Sequence, residues 1–106
     1  MANARITDPE TSVAAAKSVR NVTAQQRAIL NILAVPMTDE ELVARYQNIA
    51  VAGLAPLASP SGIRSRRSEL VYSGFVADRG DRRKLSTGRN AIVWFTTEMG
   101  IEELNG

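Results

Sequence analysis

The sequence predicts a mainly helical α+β chain, with the helices first and a single β-hairpin after them. Three observations predict it. Helix-start signals recur at Asp8-Pro9, Thr23/Gln26, Thr38/Glu41 and Ser59-Pro60. Apolar residues between these starts keep a spacing near 3.6. After Gly74 the spacing changes to 2, and β-branched and aromatic residues gather at 91–97.

Each element can be justified in order. Residues 1–7 show no periodicity and are expected to be a loose tail. Asp8-Pro9-Glu10 opens a helix over 8–20: Asp8 caps, Pro9 suits the first helical position, and Glu10 meets the positive end of the dipole. Thr23 opens the next helix, with Gln26 at capping-box spacing. Ala28, Ile29, Ile32, Leu33 and Val35 form its apolar stripe, and Pro36 stops it. Thr38-Asp39-Glu40-Glu41 is the clearest start. Thr38 and Glu41 can cap each other, with Met37 and Leu42 at the staple positions and Leu42, Val43 and Tyr46 facing inward. Residues 47–58 are apolar but contain Gly53 and Pro56, which predicts a packed loop with room for one helical turn, long for a compact domain. Ser59-Pro60 starts a helix reaching residue 73, with Ile63, Arg67, Leu70 and Val71 on one face and Gly74 closing it in a left-handed conformation.

Phe75-Val76-Ala77-Asp78 then reads as a strand and Arg79-Gly80-Asp81 as turn chemistry. Residues 86–90 read as a second irregular stretch and 91–97 as the stronger strand. The two strands pair most simply as an antiparallel hairpin with a long basic tip. The stretch from Glu98 is acidic and is expected to be a peripheral tail. The corresponding division is 1–21 tail and extra helix, 22–97 domain, and 98–106 acidic tail.

Composition bounds the chemistry. The 106 residues suit one core, and 44% are apolar. With neither cysteine nor histidine, disulfides, thiolate nucleophiles and the usual zinc sites are excluded, as is the side chain most used for proton transfer near neutral pH. No glycine-rich phosphate loop or catalytic carboxylate pair is visible; the acids at 39–41 read as a helix cap. No enzyme, cofactor or metal is expected. No apolar run approaches membrane-spanning length and no secretory signal is visible, so a cytoplasmic protein away from the membrane is expected.

Charge is uneven. Residues 64–89 hold eight basic and three acidic side chains, a net of +5, while the rest nets −3. Such asymmetry suggests a polyanionic partner. Opposite the apolar face of the 60–73 helix lie Ser61, Arg64, Ser65, Ser68 and Tyr72. Small serines let a backbone approach, and Arg64 is the candidate for bidentate contact with guanine. Arg66, at the edge of that face, suits phosphate. Near the hairpin tip, Arg79, Arg82, Arg83, Lys84 and Arg89 supply cations and Ser86 and Thr87 hydroxyls. Trp94 reads as a packing residue rather than a stacking platform.

Order and spacing together resemble the winged helix-turn-helix family over residues 22–97, in the form found among small phage-encoded proteins. Thr38-Asp39-Glu40-Glu41-Leu42 resembles the first helix of the pair. Ser59-Pro60-Ser61-Gly62-Ile63, with Leu70 and Gly74-Phe75-Val76, resembles a recognition helix entering the first wing strand. Ser86-Thr87-Gly88-Arg89 with Ile92-Val93-Trp94 resembles the return strand. The resemblance implies a three-helix core, a two-stranded wing and an additional N-terminal helix. It implies double-stranded DNA as partner, with Ser61, Gly62 and the side chains just named at the major groove and the wing on the backbone or in a minor groove. Phage-type transcriptional regulation or a recombination accessory role would follow, in the bacterial host cytoplasm. A second copy of the chain would raise affinity, and Val13, Ala14, Ala16 and Val19 of the 8–20 helix offer a surface for it. The alternative from another class is a module binding a host or phage protein through the acids at 39–41 and the apolar 47–58 stretch. The chain departs from the family at that long connection and at Arg67, which takes an inner position. Arg67 suits a snorkelled stem paired with an acid such as Glu41 or Asp78 better than a DNA contact.

Overall fold

The computed structural model describes residues 22–105. The 8–20 helix and its apolar positions lie outside the described residues. Four helices and a two-stranded antiparallel sheet follow in the order α1 (Ala24–Ile32), α2 (Asp39–Val51), α3 (Pro60–Tyr72), β1 (Val76–Lys84), β2 (Asn90–Thr96) and α4 (Glu98–Asn105). This is the mainly helical α+β winged-helix architecture that the sequence predicts for the domain.

Local signals set the ends of the first three helices. Thr23 and Gln26 form a reciprocal capping box at α1, and Thr38 and Glu41 do so at α2. The Ser59 hydroxyl accepts from the Gly62 N–H at α3, with Pro60 at the first helical position. At the end of α3, Phe75 N–H donates to Leu70 O (2.9 Å) and Gly74 N–H to Val71 O (3.0 Å), with Gly74 at φ +86°. This pair of hydrogen bonds is a Schellman closure, and its left-handed residue favours glycine.

The core joins Ile29 and Leu30 of α1 with its C-cap Leu33, Leu42 and Tyr46 of α2, and Ile63 and Leu70 of α3 to Phe75 and Val76. Val93 is buried as well. Met37 exchanges two backbone hydrogen bonds with Trp94 (3.1 and 2.8 Å), so the segment before α2 adds a one-residue strand beside β2. Thr96 binds α1 twice: its N–H donates to Leu33 O and its buried hydroxyl to Leu30 O at 2.8 Å. These bonds seat the base of the wing on the helices.

Three expectations are corrected. Residues 47–51 continue α2, so the helix runs to Val51 and the loop starts only at Ala52. Ala50 is buried and Gly53, at φ +83°, closes the helix by the same two-bond pattern. The Tyr46 hydroxyl donates to Pro56 O at 2.7 Å and pins the remaining loop. Residues 79–81 are not the turn: β1 runs through them as a bulge, and the hairpin reverses at 85–89, where Leu85 N–H donates to Arg89 O (2.7 Å). The Asp78 carboxylate accepts from Gly80 N–H (2.8 Å), which imitates a turn locally.

Finally, residues 98–105 form α4 rather than a peripheral tail. The Thr97 hydroxyl caps α4 by accepting from Gly100 N–H (3.2 Å) and donates to Gly74 O (2.7 Å). Gly100 is buried. A Cβ there would stand 2.4 Å from Phe75 O and 2.6 Å from Thr96 Cγ2, so only glycine lets α4 come this close.

Candidate nucleic-acid interface

α3 lies with Ile63 and Leu70 in the core and its opposite face open. Ser61, Arg64, Ser65, Ser68 and Tyr72 are all exposed, Tyr72 at 95%. Arg64 makes no ion pair among the described residues. The face that the spacing assigned to base edges is therefore brought together on one helix. It projects short polar side chains, one guanidinium and one phenol.

Two of the assigned α3 positions have other work. The Arg66 guanidinium grips Glu69 through two bonds (2.8 and 2.7 Å), and Glu69 also accepts from Gln26 of α1 at 3.0 Å. The Arg66 contact holds the Glu69 carboxyl below its usual range. Gly62 is half-buried, and a Cβ there would sit 3.2 Å from the Ser59 hydroxyl, so its smallness serves the cap.

Arg67 takes a structural place with a different partner from those expected. It binds Asp39 through two bonds (3.0 and 2.7 Å), and its guanidinium carbon lies 4.2 Å from the centre of the Trp94 ring. Glu41 and Asp78, the acids expected for it, are engaged with Arg83 and Arg82 instead. Asp39 is the first residue of α2, where it faces α3. One arginine thus joins α2, α3 and β2, and Trp94 serves packing.

The wing cations divide in two. Arg79 pairs with Asp81 (3.6 Å), Arg82 with Asp78 (3.1 Å) and Arg83 with Glu41 (2.7 Å). Gly80 N–H, and then Arg82, hold the Asp78 carboxyl below its ordinary value. Lys84 and Arg89 are exposed and make no ion pair among the described residues. Thr87 is exposed at the tip. The Ser86 hydroxyl instead donates to Glu40 at 2.7 Å, and its N–H to the same carboxylate at 3.3 Å.

Sequence reasoning missed this role of Glu40 and Glu41, which it treated as a cap. The available signal was charge complementarity between the acids at 39–41 and the bases at 82–84. It also missed how open the α2–α3 connection is: Val51, Leu54 and Leu57 are 83%, 77% and 77% exposed. Ala50, Val51, Leu57 and Ala58, with Gln47 and Ser59, line a shallow groove there of about 520 Å³. Among the described residues no group of acids could hold a metal ion, and no helix is long and apolar enough to cross a membrane.

The chain matches no sequence-family model, and no curated protein matches it in sequence. Solved structures do. A transcriptional-regulator structure from Thermoplasma acidophilum has a TM-score of 0.61 at 20% identity, over 84% of this chain and 79% of that one. A PadR-family transcriptional regulator from Eggerthella lenta has a TM-score of 0.60 at 16% identity, over 91% and 78%. A PadR-like transcription factor from Bacteroides fragilis has a TM-score of 0.55 at 12% identity, over 92% and 84%. This chain, with three helices, an antiparallel wing and a closing helix, shares the winged-helix fold of PadR-like structures.

Proposed function

We propose that this protein is a transcriptional regulator that binds double-stranded DNA, with α3 in the major groove and the wing on the phosphate backbone. The observation that carries the reading is the open face of α3, where Arg64, without an ion pair among the described residues, stands among exposed serines. A helix in the major groove needs this division between an apolar inner face and a short polar outer one. The three similar structures are all described as transcriptional regulators or transcription factors. Arg64 reads bases, while Lys84, Arg89 and Thr87 contact phosphate. Phage gene control and a recombination accessory role are the narrower settings implied by the sequence resemblance. A second copy of the chain on a two-fold site would raise affinity.

Fluorescence anisotropy on random-sequence duplex DNA across a salt series tests this. Lys84→Ala/Arg89→Ala should lower the salt slope by about two, because each phosphate contact contributes about 0.9. Arg64→Ala should flatten the preference selected from a random duplex pool, at a cost of about 1–3 kcal/mol on the preferred site. No binding at low salt would refute the proposal. The exposed Val51, Leu54 and Leu57 favour the second reading, a protein-binding module, and that outcome would turn the search to this patch.

A further inference from the structure

Two wing groups that suit phosphate are already held by carboxylates from another element. Arg83 Nη1 donates to Glu41 Oε1 at 2.7 Å. Ser86 Oγ donates to Glu40 Oε2 at 2.7 Å, and Ser86 N–H to Oε1 of the same residue at 3.3 Å. Helix capping accounts for only part of this: Glu41 Oε1 also accepts from Thr38 N–H at 2.9 Å, but Glu40 has no capping bond. Burial does not account for it either, since Glu40, Glu41, Arg83 and Ser86 are all exposed.

An exposed carboxylate–guanidinium pair contributes little to stability, about 0–1 kcal/mol, and exchanges readily. Its larger effect is on what else the donors can bind. A carboxylate and a phosphate oxygen compete for the same N–H and O–H groups. Phosphate contacts supply the sequence-independent part of DNA affinity, whereas base contacts carry discrimination. Weakening the first without touching the second raises the ratio of specific to non-specific binding.

We propose that Glu40 and Glu41 are specificity-determining residues that compete with DNA phosphate for Arg83 and Ser86, lowering backbone affinity so that α3 decides where the protein binds. This rests on the DNA-binding reading above. The carboxylates act as internal phosphate substitutes. On any duplex, gaining the wing contact requires giving up the internal one. The advantage of base recognition by α3 is therefore not masked by a wing that binds every sequence alike.

The test is Glu40→Gln/Glu41→Gln. Glutamine keeps the capping box at 41 and an acceptor for Ser86 at 40, so only the charge is removed. A control, Glu102→Gln/Glu103→Gln, removes the same charge from α4. Relative to the parent, the 40/41 variant should bind random-sequence duplex roughly tenfold more tightly at low salt, with a salt slope steeper by about one. Its selected sequence preference should be flatter. Compared at about 0.1 M salt, the α4 control should change affinity by less than about twofold, given screening over a Debye length near 10 Å. If the parent binds DNA but the 40/41 variant gains neither affinity nor slope, or loses affinity, the competition is refuted while the DNA reading stands. A gain of equal size in the α4 control refutes it too, by reducing the effect to net charge. If the parent binds no duplex, the proposed function fails and this inference with it.

Discussion

α3 and the wing are both rich in arginine and are held in place by different means. α3 is anchored from beneath by Ile63 and Leu70, which are 0% and 1% exposed. Nothing on its outer face is needed to hold it, and Arg64 is left without an ion pair among the described residues. In β1 every residue beyond Ala77 is exposed. The wing gets its tertiary fastening at the tip from Arg83–Glu41 and Ser86–Glu40, while Arg79 and Arg82 pair within β1 itself. On α3, Arg66 and Arg67 are taken up by Glu69 and Asp39, and Arg64 is the one left to serve as a ligand group; in the wing, Arg83 serves as a fastener where no core is present. A count of basic residues therefore overstates what the wing offers a polyanion, and Lys84 and Arg89 carry most of that offer.

Removing the anchor of α3 should have the largest effect. Ile63→Ala should cost about 2–5 kcal/mol of unfolding free energy in urea titration, since the site is fully buried. An effect near zero would mean that α3 does not depend on the core. Next comes the joint between the two regions. Arg67→Met should cost about 1–3 kcal/mol, because it leaves the partly buried Asp39 carboxylate without its cation; the Asp39 side chain is 24% exposed. Asp39→Asn in the same chain should recover part of that loss, and no recovery would deny the coupling.

The smallest effect is on pH. Glu41 is held below its ordinary value of 4.5, first by Thr38 N–H and then by Arg83. Asp78 is held below 3.8, first by Gly80 N–H and then by Arg82. Both carboxylates have lowered folded values, so their contribution is complete at neutral pH. It is lost as pH falls below the ordinary values, 4.5 for Glu41 and 3.8 for Asp78, and on through the lowered ones. An NMR titration should show the Thr38 and Gly80 amides, which donate to Glu41 and Asp78, shifting in that range while the Leu33 amide stays fixed. A Leu33 amide that moved with them would place the loss in the core instead.

Local chemistry made much of the fold legible. Thr23 with Gln26, Thr38 with Glu41, Ser59-Pro60 and Gly74 each act within a few residues, so spacing alone reveals them. What stayed hidden depends on distant partners. Asp78-Arg79-Gly80-Asp81 has the chemistry of a turn, and only pairing with the return strand makes it a bulge. Gly100 resembles a helix breaker until Phe75 O and Thr96 occupy the space a side chain would need. In the candidate site, the outer face of α3 follows from helical period. The partners of Arg67, Arg83 and Ser86 do not, because Asp39 is 28 residues from Arg67 and Glu40 is 46 from Ser86.

The bulge in β1 also decides what a change of length in the wing would do. Asp78 faces Trp94 and Arg82 faces Ile92, so four steps on one strand match two on the other. Both steps are even, and Asp78 and Arg82 accordingly share a side and pair. The ladder resumes in register at Arg82 and Ile92, so the facing of Arg83 and Lys84 is set by their partners on the return strand, Ala91 and Asn90. A bulge absorbs extra residues in one strand and hands the pairing on unchanged. Length variation at 79–81 would therefore alter local twist while the tip keeps the same side chains toward α2.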